Sequence, residues 1–106
     1  MVVRGDIWLA ALDPAVGSEI RKTRPCVVIS PPEMHDHLRT VIVAPMTTGS
    51  RPAPYRIPVT HASKKGLILL DQIRTLDQAR LVRKWGAVSA RTLTAMLRTL
   101  QEVFGE

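Results

Sequence analysis

Apolar and polar positions along this chain fall into short strand-like blocks, and switch to a helical period only near the end. Asp6-Ile7-Trp8-Leu9-Ala10-Ala11-Leu12 reads as a strand closed by Asp13-Pro14. A polar, glycine-started loop runs from Gly17 to Pro25, and Cys26 to Ser30 is the next strand, broken by Pro31-Pro32. Glu33 to Arg39 is short and polar, a loop or a single helical turn. Thr40 to Pro45 is apolar without alternation, which predicts burial on both faces. Met46 to Pro52 leaves it as a hydroxyl-rich loop. Tyr55 to Val59 alternates, and Pro58 confines it to a sheet edge or a strand end. Lys64-Lys65-Gly66 reads as a turn, Leu67 to Asp71 as a buried strand that continues with alternation to Asp77, and Arg80 to Val88 as a last strand.

The final segment differs in period. Leu93, Met96, Leu97, Leu100, Val103 and Phe104 fall on one helical stripe, with Ser89 as N-cap and Gly105 as C-cap. A helix of this kind closes a core. Many short strands and one terminal helix define a mainly β chain with α (α+β), a small SH3-like antiparallel barrel or sheet. A length of 106 residues suits one domain over 1–106, without repeats or a linker.

Composition adds a direction. Fifteen basic and nine acidic side chains give a formal charge of +6, which favours a polyanion or an acidic protein as partner. The single cysteine, Cys26, excludes an internal disulfide and sits in an apolar run, as a small core residue does. His35, His37 and His61 have no cysteine pair to complete a metal site, so no metal and no cofactor is expected, and the three read as loop residues. An acidic residue, Asp6, interrupts the start before any apolar stretch of useful length, and no run is long enough to span a membrane; the expected location is the cytoplasm.

One position stands out chemically. Pro25 fixes its own φ and biases Arg24 toward an extended backbone, so the guanidinium is held at the mouth of a strand. A planar fork of donors fixed there suits a pair of phosphate oxygens, against the competing reading of a solvated loop arginine.

Further pieces accompany it in order: Arg4-Gly5-Asp6-Ile7-Trp8, Asp13-Pro14, Gly17-Ser18-Glu19, Thr23-Arg24-Pro25, Ala44-Pro45-Met46-Thr47 and Asp71-Gln72-Ile73-Arg74-Thr75-Leu76-Asp77. Each alone is weak. Together, in register and across nearly the whole chain, they resemble the MazF/PemK/Kid family of toxin ribonucleases from bacterial type II toxin–antitoxin pairs. The resemblance implies a fold of the CcdB/PemK type and a homodimer. It implies a sequence-specific, metal-independent endoribonuclease that inhibits growth by cutting single-stranded RNA (mRNA, or tRNA or rRNA). In that reaction the ribose 2′-hydroxyl attacks the adjacent phosphorus and leaves 2′,3′-cyclic phosphate and 5′-hydroxyl ends. It also implies an antitoxin, whose acidic segment would fold along a basic groove.

Carried over residue by residue, Arg24 matches the arginine of the family's Arg-Pro and Thr47 the threonine after its apolar strand, both catalytic positions. Thr48 can substitute for Thr47. Glu19 matches an acidic loop position and is the best candidate base; Asp71 matches a position that serves catalysis in the Kid branch. Asp71 follows four apolar residues, which predicts partial desolvation and a raised pKa, or else an ion pair with Arg74 or Arg56. The Kid branch has histidine at Ser18 and arginine at Leu69, so its acid–base scheme does not transfer. Arg21, Lys22, Thr48, Arg51, Arg56, Gln72, Arg74 and Arg80 are the candidate RNA-binding residues, with Arg83 and Lys84 extending the basic groove. Tyr55, Trp8 and Trp85 are the candidate stacking surfaces, the tryptophans being alternatively core. Two other readings share this fold: a CcdB-like gyrase poison, which acts through its C-terminal residues, and an inactive RNA-binding barrel. The retained Arg-Pro and threonine positions favour the nuclease.

Overall fold

The computed structural model describes all residues from Met1 to Glu106. Seven strands form one antiparallel sheet. They are β1 (Asp6–Ala11), β2 (Thr23–Val28), β3 (Thr40–Thr47), β4 (Arg56–His61), β5 (Lys64–Leu69), β6 (Arg74–Asp77) and β7 (Leu81–Ala87). Their spatial order is β4-β5-β3-β2-β1-β7, with β6 pairing on the first half of β3. A one-turn helix α1 (Pro32–His35) follows β2, and α2 (Ala90–Phe104) ends the chain. No helix is long and apolar enough to cross a membrane.

The sheet curls because β3 is shared. Its first half pairs with β6 through Thr40 to Val43, and its end pairs with β5 through Met46 and Thr47. Register shifts in β1 against β7, between Ile7 and Trp8 and between Leu9 and Ala10, add bend at the other side. Both faces are covered, as the unalternating run of β3 predicts. Val27, Ala44, Met46, Ile57, Ile68 and Met96 belong to one core cluster. Cys26, Val28, Val41, Val43 and Leu76 belong to the other. The expectation that Cys26 is core is met: it is fully buried, and burial pushes its thiol up to about 12, too high for a nucleophile.

Pro58 lies on β4, which is an edge strand, as expected. Ser89 caps α2 by accepting a hydrogen bond from the Thr92 amide at 3.1 Å. The helix seats Met96 in the core with Leu100 packed beside it. Its last turn does not reach the sheet, and Val103 and Phe104 are 50% and 71% exposed.

Five expectations are corrected. Strand β2 begins at Thr23 rather than Cys26, and β3 ends at Thr47 rather than Pro45, so Arg24 and Thr47 stand on strands and not in loops. Lys64-Lys65-Gly66 is not a turn but the start of β5; the hairpin turns at Ala62 and Ser63, both at positive φ (51° and 65°), in the manner of a two-residue I′ loop. The strand through Asp71 is interrupted by a 3₁₀ turn, Leu70–Gln72. His35 is not a loop residue in solvent. It is buried, with Nδ1 3.0 Å from the Ser30 hydroxyl and Nε2 donating to the Val2 carbonyl at 2.8 Å.

Candidate active site

Strand register brings Arg24 and Thr47 together. Strand β2 pairs with β3 as Cys26 to Pro45, Val27 to Ala44 and Val28 to Val43. Extending that ladder by two residues sets Arg24 across from Thr47. Pro25, between Arg24 and Cys26, is in register with Leu9 on β1. Arg24 is half-buried, and its Nε donates to the Arg21 carbonyl at 3.1 Å. The ion pairs made by arginine and lysine lie elsewhere, at Arg56–Asp71 and Lys84–Asp6. The Arg24 guanidinium therefore keeps donors for a ligand anion. Thr47 Oγ1 accepts from the Gly49 amide at 3.3 Å, which leaves its own proton to donate. Behind it, Gly66 packs so closely that a β-carbon there would lie 2.7 Å from the Thr47 carbonyl oxygen. Close approach, not turning, is what requires this glycine.

Arg24, Thr47 and Thr48 line one open cavity of about 210 Å³, together with His61, Lys64 and Trp85. His61, read from the sequence as a loop residue, is instead the last residue of β4, and it is the residue that sequence reasoning missed. The two-residue turn at Ala62-Ser63 pairs it with Lys64 at the end of the β4–β5 hairpin and swings both into the cavity. Ala-Ser carries no glycine or asparagine to mark such a turn. Trp85 is 37% exposed and offers a stacking surface, whereas Trp8 packs against the second core cluster.

The two candidate carboxylates are placed elsewhere. Glu19, Asp71, Gln72 and Arg74 line a separate cavity of about 390 Å³. Glu19 accepts from the Val16 amide at 2.6 Å, and Gln72 pins the same loop by accepting from the Ile20 amide at 2.8 Å. Asp71 accepts from Arg56 at both oxygens, from Nε at 3.1 Å and Nη2 at 3.0 Å. Of the two arginines considered for it, the partner is Arg56. These hydrogen bonds hold the Asp71 carboxyl below the usual carboxylate range and raise the Arg56 guanidinium, the reverse of the desolvated, raised carboxyl expected. Asp71 is therefore a poor proton acceptor near neutral pH.

A lowered folded-state pKa gives stability that is present above the unfolded pKa and lost as pH falls through the folded one. Asp71→Asn is expected to cost no more than about 1 kcal/mol at neutral pH, because the pair is partly exposed. The gap in melting temperature from wild type should then close below about pH 4. A gap that persisted at pH 2 would place the effect outside this ion pair.

The basic candidates divide by what they already hold. Arg74 donates to the Leu12 carbonyl at 3.2 Å, and Arg80 to Ala11 and Asp13 at 3.1 and 2.7 Å, so both clamp the start of the loop that carries Glu19. Arg56 is committed to Asp71 and to the Arg51 carbonyl, and stands 5.8 Å from the Tyr55 ring centre. Arg21, Lys22 and Arg51 are exposed. Lys84 is drawn to Asp6 at 3.3 Å.

Residues 3–104 match the model of the PemK-like, MazF-like toxins of type II toxin–antitoxin systems. The chain belongs to this family. It is 42% identical over 90 residues to a protein of Staphylococcus epidermidis named Endoribonuclease MazF, covering 79% of this chain and 75% of that one. Among solved structures, it matches the Mycobacterium tuberculosis toxin MazF-mt6 with a TM-score of 0.78 at 25% identity, over 93% of this chain and 95% of the other. A Deinococcus radiodurans MazE–MazF crystal structure shares the fold with a TM-score of 0.81 at 23% identity, over 98% and 96% of the two chains.

Proposed function

We propose that this toxin is an endoribonuclease of single-stranded RNA, and that Arg24 and Thr47 hold the phosphate that is cut. The observation that carries the reading is an arginine with free donors and a threonine hydroxyl that line one open cavity, just beyond the end of the β2–β3 ladder. The Staphylococcus relative, an endoribonuclease by name, supports it. The 2′-oxygen loses its proton and forms a bond to phosphorus, while the bond from phosphorus to the 5′-oxygen breaks. The products are a 2′,3′-cyclic phosphate and a 5′-hydroxyl. Arg24 donates to the phosphoryl oxygens on which charge grows, and Thr47 adds one neutral donor. A guanidinium stays charged across the working range, so Arg24 supplies charge rather than a proton.

Trp85 and Tyr55 give surfaces on which splayed bases stack, and Arg21, Lys22 and Arg51 track the backbone. The cavity lined by Glu19, Asp71, Gln72 and Arg74 receives a flanking nucleotide, its carboxylates and amide reading base edges. The antitoxin is an acidic chain that competes for the same basic surface, in keeping with the charge of +6 and with the MazE–MazF assembly of the Deinococcus relative. The apolar last turn of α2, with Val103 and Phe104 exposed, favours a homodimer over a lone protomer.

Incubating the purified protein with a long RNA in excess EDTA tests the reading. Discrete cuts with 5′-hydroxyl and 2′,3′-cyclic ends are expected. Intact RNA would return the chain to an RNA-binding barrel or a gyrase poison, and cuts only with a divalent ion would indicate water as nucleophile.

A further inference from the structure

We infer that His61 is the general base of the cleavage, taking the 2′-proton at Nδ1; the inference rests on the ribonuclease reading above. Several independent features fix this ring. Its Nε2 lies 3.1 Å from the Trp85 carbonyl oxygen. A carbonyl only accepts, so Nε2 carries the proton and the lone pair of the neutral ring is on Nδ1. The ring meets Trp85 edge-on, with centroids 4.9 Å apart and planes at 87°. Gly86, at a φ of +143°, leaves the room: a β-carbon there would lie 2.8 Å from His61 Cε1. A backbone acceptor that sets the tautomer, a perpendicular indole and a glycine cut-out are what hold a catalytic imidazole in one orientation.

The other histidines do not compete. Both ring nitrogens of His35 are engaged within the fold, and His37 is an exposed residue after α1. The charged groups that share cavities with His61 are Arg24 of β2 and Lys64 and Lys65 of β5, while Lys84 of β7 turns to Asp6. None is a carboxylate. The carboxylates considered for the role are tied elsewhere, Glu19 to a backbone amide and Asp71 to Arg56.

The step balances. The 2′-hydroxyl proton passes to Nδ1, the bond from O2′ to phosphorus forms, the bond from phosphorus to O5′ breaks, and the leaving oxygen takes a proton from solvent water in the open cavity. The imidazolium then returns its proton to solvent.

The test is single-turnover cleavage of an RNA oligonucleotide by wild type, His61→Gln and His61→Ala across pH 5 to 9. Binding is measured in parallel with the same oligonucleotide carrying one 2′-deoxyribose at the cut. The expected result is a rate lower by about a hundredfold or more in both variants. Binding should stay within about threefold, the acidic limb of the pH–rate profile should vanish, and added imidazole should restore part of the His61→Ala rate. Retained rate in both variants, or a loss with the acidic limb unchanged and no imidazole rescue, overturns the assignment while wild-type cleavage leaves the ribonuclease reading standing. No cleavage by wild type overturns both. Loss of oligonucleotide binding in both variants assigns His61 to structure or binding and also overturns it.

Discussion

Replacing Arg24 with alanine should lower kcat/KM on a fluorogenic RNA by about a thousandfold or more while leaving the melting temperature within a few degrees of wild type. Removing a single donor from an oxyanion site typically costs about a hundred- to a thousandfold. A guanidinium that stabilises phosphoryl charge has been worth about a thousandfold or more in phosphoryl transfer. Arg24 offers a fork of donors to one phosphate, which places it at the upper end. The fold loses little. The side chain makes one hydrogen bond, to a loop carbonyl, and belongs to neither core cluster. Strand β2 keeps its register with β1 through Ile7–Val27 and Trp8–Cys26 whatever stands at position 24. Arg24→Lys discriminates charge from geometry. An ammonium restores the positive charge without the planar fork, so it should recover at most a small part of the rate. A lysine variant with wild-type kcat would reduce Arg24 to a generic counterion, and an active alanine variant would remove it from the mechanism.

The strands were legible where side chains are β-branched and the run is short. Val27 and Val28, and Ile42 and Val43, fall on two different covered faces, and the unbroken apolar character of β3 is the physical trace of that double burial. Pro58 marked an edge because a residue without an amide proton is easiest to place there, although Pro25 and Pro45 stand on the central strands β2 and β3. Strand ends were less legible. Arg24 and Thr47 look like loop residues because they are polar, yet they extend the paired backbone beyond the apolar stretch. The pairing of these two with each other came from resemblance; the ladder sum that puts them opposite one another explains it. Gly66 drew the turn assignment to itself, since a glycine after two lysines has the composition of a turn, whereas it serves the close approach to Thr47. The real turn, Ala62-Ser63, has no compositional mark, so His61 could not be placed next to Arg24. The choice between Arg56 and Arg74 for Asp71 was likewise open, because it depends on a 3₁₀ turn that hydropathy does not register.

A substrate with a single 2′-deoxyribose on the 5′ side of the cut should bind with nearly unchanged affinity and show no cleavage at that bond over hours. The loss is larger than for any side-chain variant, because the substitution removes the nucleophile rather than a group that assists it. With internal attack the reacting oxygen is already held beside phosphorus by the ribose itself, and this proximity is lost with it. Water would have to replace it, and no three of the chain's histidine, cysteine, aspartate and glutamate side chains converge to hold a metal ion that would activate water. Binding should survive because the contacts assigned to Arg24, Thr47 and Trp85 go to phosphate and base, not to the 2′-hydroxyl. The measurement is a competition assay for affinity alongside gel analysis of the cut, with the all-ribose oligonucleotide as reference. Cleavage of the deoxy substrate at a rate near the reference would rule out internal attack and return the nucleophile to water. Complete loss of binding would instead show that the 2′-hydroxyl is read as a recognition element, and the role of Arg24 and Thr47 would then have to be re-examined on bound complexes.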